Sequence, residues 1–176
     1  MVYLKKLLLC LICLILLTSN LLAENKVAYI DLDKILINTE SGKSLFKQLN
    51  NLEKLKLEDL ENEEKKFKEE ENKILSTKNI LTQDEYIKKV NAFKKKITVY
   101  QKKKKNIIDS LKKKRNTEVL RFLKMTNPLI ESIMEKNSID ILIEKKNIFI
   151  AKSNVDITNI VIENINKDIK NFKIEE

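Results

Sequence analysis

The most regular hydrophobic pattern of the chain lies between residues 86 and 111. Seven apolar residues and one lysine recur there at alternating intervals of four and three residues. This spacing is typical of the contact face of a left-handed coiled coil. At about 1.5 Å per residue the stretch would be roughly 40 Å long, which predicts an arm that protrudes from the rest of the fold. The eight positions are Tyr86, Val90, Phe93, Ile97, Tyr100, Lys104, Ile107 and Leu111.

A sparser helical pattern precedes this one, from about residue 44 to residue 75, and a new helix is predicted to begin at Thr82. Thr82 and Glu85 have the spacing of a capping box, in which each side chain accepts a hydrogen bond from the main-chain amide of the other residue. The preceding helix should therefore end near residues 76–79. Because helices joined by so few residues lie antiparallel, residues 44–127 are predicted to form a long coiled-coil hairpin.

Short strands are predicted on both sides of the hairpin. Residues 26–32 predict one strand, and residues 139–143 and 148–151 predict two more, joined by a turn at residues 144–147. Residues 24–43 and 128–176 are therefore expected to form a small body at the base of the hairpin.

Three residues mark expected helix boundaries. Gly42, the single glycine, is placed in a break at residues 39–42, where it is free to take a positive φ. Pro128, the single proline, predicts a kink or a restart of the second long helix. Asp156 is predicted to cap a last helix. Since turn formers are otherwise so scarce, the fold class is α+β with helix predominating.

The N-terminus has the layout of a secretory signal peptide. Two lysines precede an unbroken apolar run from Leu7 to Leu17, and Ala23 stands at the expected cleavage site. The run is 11 residues long, short of the roughly 20 that a membrane-spanning helix needs. Residues 1–23 are therefore predicted to be removed, and an uncleaved anchor is the alternative. Both cysteines, Cys10 and Cys13, lie in this segment, so the mature chain would contain no disulfide.

Composition argues against enzymatic chemistry. The chain has no histidine, no cysteine after residue 13 and a single glycine, so the usual zinc ligands, imidazole bases and phosphate-binding loops are missing. Acidic runs such as residues 69–71 are interpreted as solvated helix faces. We expect neither catalysis nor a cofactor or metal ion.

The two halves of the predicted hairpin carry opposite charge. Residues 53–72 contain nine acidic and five basic residues, whereas residues 86–115 contain thirteen basic residues and one acidic residue. Folding about residue 80 predicts that Glu69–Glu71 lie near Lys88 and Lys89, that Glu63 and Glu64 lie near Lys94–Lys96, and that residues 53–59 lie near residues 102–105. Exposed pairs of this kind set register more than stability.

Much positive charge is left over after this pairing, and it predicts a basic surface that binds a partner. The expected lining residues are Lys94, Lys95, Lys96, Lys102, Lys103, Lys105, Lys112, Lys113, Lys114 and Arg115. The aromatic and aliphatic residues of the repeat are assigned to the contact between the helices instead.

A body of three short strands would have two open edges and a thin core, and no disulfide is available to compensate. Closing the strands of several subunits into one barrel-like body would remove those edges. The sequence therefore predicts an obligate homo-oligomer. Its body would bury Val27, Ile30, Ile141, Ile143, Ile148 and Ile150.

Two terminal segments carry a resemblance to a known family. They are VAYIDLDKILINTESGKSL near the start and IDILIEKKNIFIAKSNVDITNIVIENIN near the end, and they bracket the charged hairpin behind the signal peptide. Together they resemble the Skp (OmpH) family of periplasmic chaperones, over residues 26–170. The turn at Ser41-Gly42 and the sequence Val155-Asp156-Ile157-Thr158 are the more specific parts of the match.

The resemblance implies a homotrimer with a shared β body and three helical tentacles around a cavity. Such a chaperone holds unfolded outer-membrane β-barrel proteins in the periplasm, without ATP, before they are inserted. The resemblance also implies a lipopolysaccharide-binding patch in some members, built from basic side chains of the tentacle.

Two other functions remain open from the residues alone. A basic coiled coil could bind nucleic acid. Export and the presence of only two arginines, Arg115 and Arg121, disfavour nucleic acid as a partner. A structural hairpin that spans the cell envelope from an uncleaved N-terminal helix is the second alternative. An anionic membrane surface is a further candidate partner.

Overall fold

The computed structural model describes residues 25–175, and the predicted signal peptide and both cysteines lie outside the described residues. The elements, in chain order, are strand β1 (Val27–Ile30), helices α1 (Leu32–Asn38), α2 (Glu40–Ser76) and α3 (Gln83–Lys136), strand β2 (Ile141–Glu144) and helix α4 (Thr158–Asp168). In the part of the chain that is described, no helix combines the length and the apolar character needed to cross a membrane.

Helices α2 and α3 form the predicted hairpin. They contain 37 and 54 residues, which correspond to lengths of roughly 55 and 80 Å. The capping box at the start of α3 is present, since the amide of Thr82 donates to the Glu85 carboxylate at 3.1 Å and the amide of Glu85 donates to the Thr82 hydroxyl at 3.4 Å. The predicted fold class, a helical hairpin on a small β-containing body, is confirmed.

The sheet differs from the predicted one. β1 and β2 pair in parallel, from Val27 opposite Ile141 to Ile30 opposite Glu144. The third predicted strand, residues 148–151, is absent within residues 25–175. Lys145–Asn147 form a short 3-10 turn that carries the chain away from the free edge of β2. The chain returns to the sheet at Asp156, which bridges to Tyr29 on β1.

The break between α1 and α2 is a single residue. Thr39 ends α1 and caps α2, because its hydroxyl donates to the carbonyl of Ile35 at 2.8 Å and accepts from the amide of Gly42 at 3.1 Å. The prediction that Gly42 could take a positive φ is wrong, since the residue is helical. Glycine is needed there because a Cβ atom would lie 2.1 Å from the carbonyl oxygen of Leu36.

The predicted restart at Pro128 is also wrong, since α3 continues through it to Lys136. Proline removes one intrahelical hydrogen bond at this point. Apolar burial compensates, because Ile130 and Ile133 follow directly and are 8% and 3% exposed.

The core lies in the body and the adjoining base of the hairpin. Ile35, Leu45, Phe122, Val161 and Ile165 are at most 1% exposed and bring α1, α2, α3 and α4 together. The N-cap of α4 is Ile157, so Asp156 lies one residue before the capping position that was predicted for it. Its carboxylate still binds the first turn of the helix, because it accepts a hydrogen bond from the amide of Thr158 at 2.9 Å.

Candidate functional site

The contact between the arms is centred on Tyr100. Its ring centroid lies 5.1 Å from that of Phe67, and the Phe67 and Phe93 centroids are 6.2 Å apart. The Tyr100 hydroxyl donates to the carbonyl of Leu60 at 3.0 Å and to the Glu64 carboxylate at 3.2 Å. Burial, followed by the nearby charge of Glu64, raises the pKa of Tyr100. Tyr100 therefore holds α3 against α2 in the middle of the hairpin, by ring packing and by hydrogen bonds.

Beyond Tyr100, towards the tip, the arms leave an open groove of about 820 Å³ between them. Its apolar wall is formed by half-buried side chains and the exposed Leu75, and Lys68 and Lys94 also line it. The predicted repeat thus faces the partner helix but is only partly filled by it. The apolar residues of the groove are Phe67, Ile74, Leu75, Tyr86, Val90, Phe93 and Ile97.

Ion pairs join the arms at a register that differs from the predicted one. Lys96 pairs with Glu70 at 2.6 Å, Lys103 with Glu63 at 2.6 Å and Lys104 with Glu64 at 3.2 Å. Each lysine lies about two turns further along α3 than expected. Helical side chains lean towards the N-terminus of their own helix, so in an antiparallel pair the charged ends of facing residues diverge.

The aromatic contact between Phe67 and Phe93 keeps the register expected from a fold about residue 80. The predicted backbone pairing was therefore sound, and the predicted salt bridges were wrong. The side-chain hydrogen bond from Lys104, and then its charge, lower the pKa of Glu64. Because these pairs are exposed, they contribute little to stability.

The ten predicted basic residues fall into two groups. Lys96, Lys103, Lys114 and Arg115 form ion pairs within the chain, and the last two are only partly exposed. The remaining six are exposed and form no ion pair with any residue of the described range 25–175. Those six residues, called the free lysines below, are Lys94, Lys95, Lys102, Lys105, Lys112 and Lys113.

At the base of the arms, Glu118 is a buried carboxylate that the sequence reasoning missed. Its side chain is 1% exposed and contacts Lys114 at 3.0 Å and Arg121 at 2.7 Å. Burial pushes its pKa upward, but hydrogen bonds from Arg121, Lys114 and the amide of Glu175 outweigh burial and leave the pKa below its ordinary value. A signal in the sequence could have revealed this carboxylate. Lys114 and Arg121 lie four residues before and three residues after Glu118, and Val119 and Phe122 supply apolar neighbours.

The second candidate surface is the outward face of the sheet. Val27 and Ile141 face each other across β1 and β2 and are 39% and 46% exposed. Phe149 and Ile150, beyond the 3-10 turn, are 103% and 85% exposed. Ile143 and Ile148 are half-buried.

Ile30 belongs to a different face. It is 5% exposed and lies in the chain's own core with Ala28, because side chains alternate along a strand. Of the six residues predicted to form a shared body, the other five remain at least partly exposed in the single chain.

Comparisons with known proteins agree with this architecture. The structure is similar to the crystal structure of an OmpH-like protein from Caulobacter crescentus that is described as an outer membrane chaperone. The TM-score is 0.76 at 16% sequence identity, over 88% of this chain and 92% of that chain. Comparison with curated protein sequences gives no significant match. A family model described as "Outer membrane protein (OmpH-like)" matches residues 26–165. The chain belongs to the OmpH-like family.

Proposed function

We propose that this protein is an ATP-independent holdase chaperone of the periplasm. It binds unfolded outer-membrane β-barrel proteins between the basic arms of a homotrimer and prevents their aggregation before insertion into the membrane. The single observation that carries the proposal is the pairing of a long, weakly packed basic hairpin with a sheet that one chain leaves uncovered.

The free lysines support the binding of unfolded chains. A lysine side chain presents an apolar stem to its surroundings while its ammonium group stays in water. Six such side chains on one helix offer many weak contacts and no defined pocket, which suits a ligand without fixed structure. The excess positive charge of α3 would also attract acidic clients at long range and speed their capture.

The open groove between the arms adds apolar area to the same surface. Phe67, Phe93 and Ile97 are half-buried there, so the apolar segments of a client could cover them further. Contacts worth fractions of a kcal/mol each become strong when many act together, yet they break one at a time. Capture without nucleotide, followed by passive release, follows from that arrangement.

The uncovered sheet supports oligomerisation. The outer edge of β2 has no partner strand within residues 25–175, and Val27, Ile141, Phe149 and Ile150 expose large apolar surfaces beside it. Edges of this kind are usually covered in stable proteins. Pairing of residues 148–151 with a neighbouring subunit would cover the edge and would place three pairs of arms around one cavity.

The decisive experiment mixes the mature protein with an outer-membrane β-barrel protein unfolded in urea and then dilutes the urea. Light scattering should stay low, and the mass of the soluble complex should equal three chains plus one client. Lysozyme, a basic protein of similar size, serves as the control for unspecific charge effects. Aggregation at the rate seen without the protein would contradict the proposal.

A further inference from the structure

The C-terminal residues 169–175 form a strap across the base of the hairpin. They have no regular secondary structure. Side chains of α2 form hydrogen bonds with main-chain atoms of the strap. The carbonyl of Phe172 accepts from the amide group of Gln48 at 2.5 Å and from the hydroxyl of Ser44 at 3.1 Å. The amide of Ile174 donates to the side-chain oxygen of Gln48 at 3.3 Å.

Helix α3 binds the other edge of the strap in the same way. The carbonyl of Lys173 accepts from Arg121, and the carbonyl of Glu175 accepts from Lys114 at 2.6 Å. The amide of Glu175 donates to the buried Glu118 carboxylate at 3.2 Å. Five main-chain atoms of residues 172–175 are thus bound by side chains of the hairpin, and main-chain recognition does not depend on the sequence of the bound segment.

The side chains of residues 172–175 of the strap alternate as in a β-strand. Phe172 is 2% exposed and lies between the Phe122 ring, at 5.7 Å, and the Arg121 guanidinium, at 4.2 Å. Ile174 is half-buried, whereas Lys173 and Glu175 point outward and are exposed. The site therefore selects an extended segment that alternates apolar and polar residues.

The groups that bind the strap are ordered by contacts of their own. Glu118 is paired with Lys114 and Arg121 on its own helix, and Gln48 donates to the carbonyl of Ser44 at 3.1 Å. These contacts would persist without the strap, so the buried carboxylate keeps its charge partners. A preorganised site of this kind pays little to accept another segment.

We propose that this groove is a peptide-binding site that the chain's own residues 169–175 occupy, and that an extended client segment with alternating apolar and polar residues displaces them. The strap has one fully buried side chain and no regular secondary structure, and segments of this kind detach well before the fold unfolds. Membrane-spanning β-strands have the required alternation. That the occupant is a barrel protein rests on the proposed function, but the site itself does not.

The first test measures binding of a fluorescein-labelled peptide of residues 169–175 by fluorescence anisotropy. The strap competes with the peptide, so weakening it with Phe172→Ala should tighten apparent binding by about tenfold or more relative to the unaltered chain. Lys170→Ala, which changes an exposed residue of the same segment, should leave binding unchanged. Adding Gln48→Ala to Phe172→Ala should weaken binding again by about fivefold.

Alternation is tested with two unlabelled competitors. One has Phe, Val, Tyr and Leu alternating with Thr and Ser, and the other has the same composition with its apolar residues consecutive. The alternating peptide should compete at least tenfold better. Equal competition, or equal binding of the labelled peptide to the unaltered and Phe172→Ala chains, would overturn the proposal.

Because Phe172 belongs to the core, a second measurement uses the unaltered chain. The amides of Ile174 and Glu175 should exchange with deuterium at least about 100-fold faster than those of Val161 and Ile165 in α4, and the alternating peptide should accelerate them. Exchange as slow as in α4 would mean that the strap leaves only on unfolding, which contradicts the proposal. Neither measurement uses a barrel protein, so failure of the holdase assay and failure of the peptide site are distinguishable.

Discussion

The body and the arms of this protein are built on different principles. Fourteen buried apolar residues form one core in the body and the adjoining base of the hairpin, from residues 28–49 and 122–172. The arms between them, residues 50–121, bury only Leu60 and Tyr100 among their apolar residues. The body is therefore stabilised by packing, and the arms by helix propensity and scattered contacts.

This difference separates stability from adaptability. A packed core fixes one geometry, because its side chains interlock at high density. Arms that bury few residues between them and leave an open groove beyond Tyr100 can change their spacing without disturbing the core. The proposed holdase function needs such arms, since unfolded clients differ in size and shape.

The comparison predicts that the same substitution has very different effects in the two regions. Phe122→Ala removes a side chain that is 0% exposed and should lower the free energy of unfolding by about 3–5 kcal/mol. Phe93→Ala, in the arms, should cost about 1 kcal/mol or less. Urea unfolding followed by circular dichroism measures both. Equal losses would show that the arms are packed as a core.

Glu118 links the base of the arms to the body, and its effect depends on pH. Because its folded pKa lies below the ordinary value of 4.5, its stabilising contribution is complete above about pH 4.5 and is lost as the pH falls through the folded pKa. Glu118→Gln should cost about 2 kcal/mol at pH 7, and less as the pH falls below 4.5. Glu131→Gln, at an exposed site of the same helix, is the matched control. If Glu118→Gln lowered the free energy of unfolding by the same amount at every pH, the stabilisation would not come from the charge of the Glu118 carboxylate.

The free lysines should affect capture without affecting the fold. Changing all six to Gln should slow association with an unfolded client by about tenfold at low salt, because long-range attraction is reduced. Changing them to Arg keeps the charge and should leave the rate nearly unchanged. Stopped-flow fluorescence measures capture, and thermal unfolding checks the fold. About 1 M salt, which shortens the screening length to roughly 3 Å, should remove the difference between the Gln and Arg variants.

Removing the Tyr100 hydroxyl is expected to have a smaller effect than the substitutions at Phe122, at Glu118 and at the free lysines. Tyr100→Phe keeps the ring and removes the hydrogen bonds to Leu60 and Glu64, which should cost about 1 kcal/mol. Since the pKa of Tyr100 is raised, ultraviolet titration should show a late phase, above the ordinary range of tyrosine, and this phase should vanish in the variant. Tyr86→Phe, in the half-buried part of the hairpin, should leave the late phase intact. If the late phase disappeared in the Tyr86→Phe control, its assignment to Tyr100 would be wrong.

Local sequence signals were reliable where few residues decide the structure. The Thr82 and Glu85 pair specified the start of α3, and the repeat from Tyr86 to Leu111 specified which face of that helix meets its partner. Both depend on neighbours three or four positions apart. Signals at Pro128 and Gly42 misled, because each was interpreted by its local tendency while the surrounding core determined the outcome.

Contacts between distant segments could not be inferred in the same way. Residues 148–151 have the composition of a strand, but a strand needs a partner, and one chain supplies none for the free edge of β2 within residues 25–175. The strap alternates apolar and polar residues over only four positions, 172–175, which is too short a pattern to identify it from the sequence. Its position on Glu118 and Gln48 depends on a groove that exists only after α2 and α3 have met.

The sequence by itself determined the helical hairpin and its charge asymmetry, because helix periodicity, capping and net charge are local or additive properties. Its two terminal segments carried the resemblance to the family. Tertiary structure alone decided the parallel pairing of β1 with β2, the ion-pair register and the burial of Glu118 under the C-terminal strap. The physical reason is that each of these depends on the direction and the surroundings of side chains from segments far apart in the chain, which no single window of sequence contains.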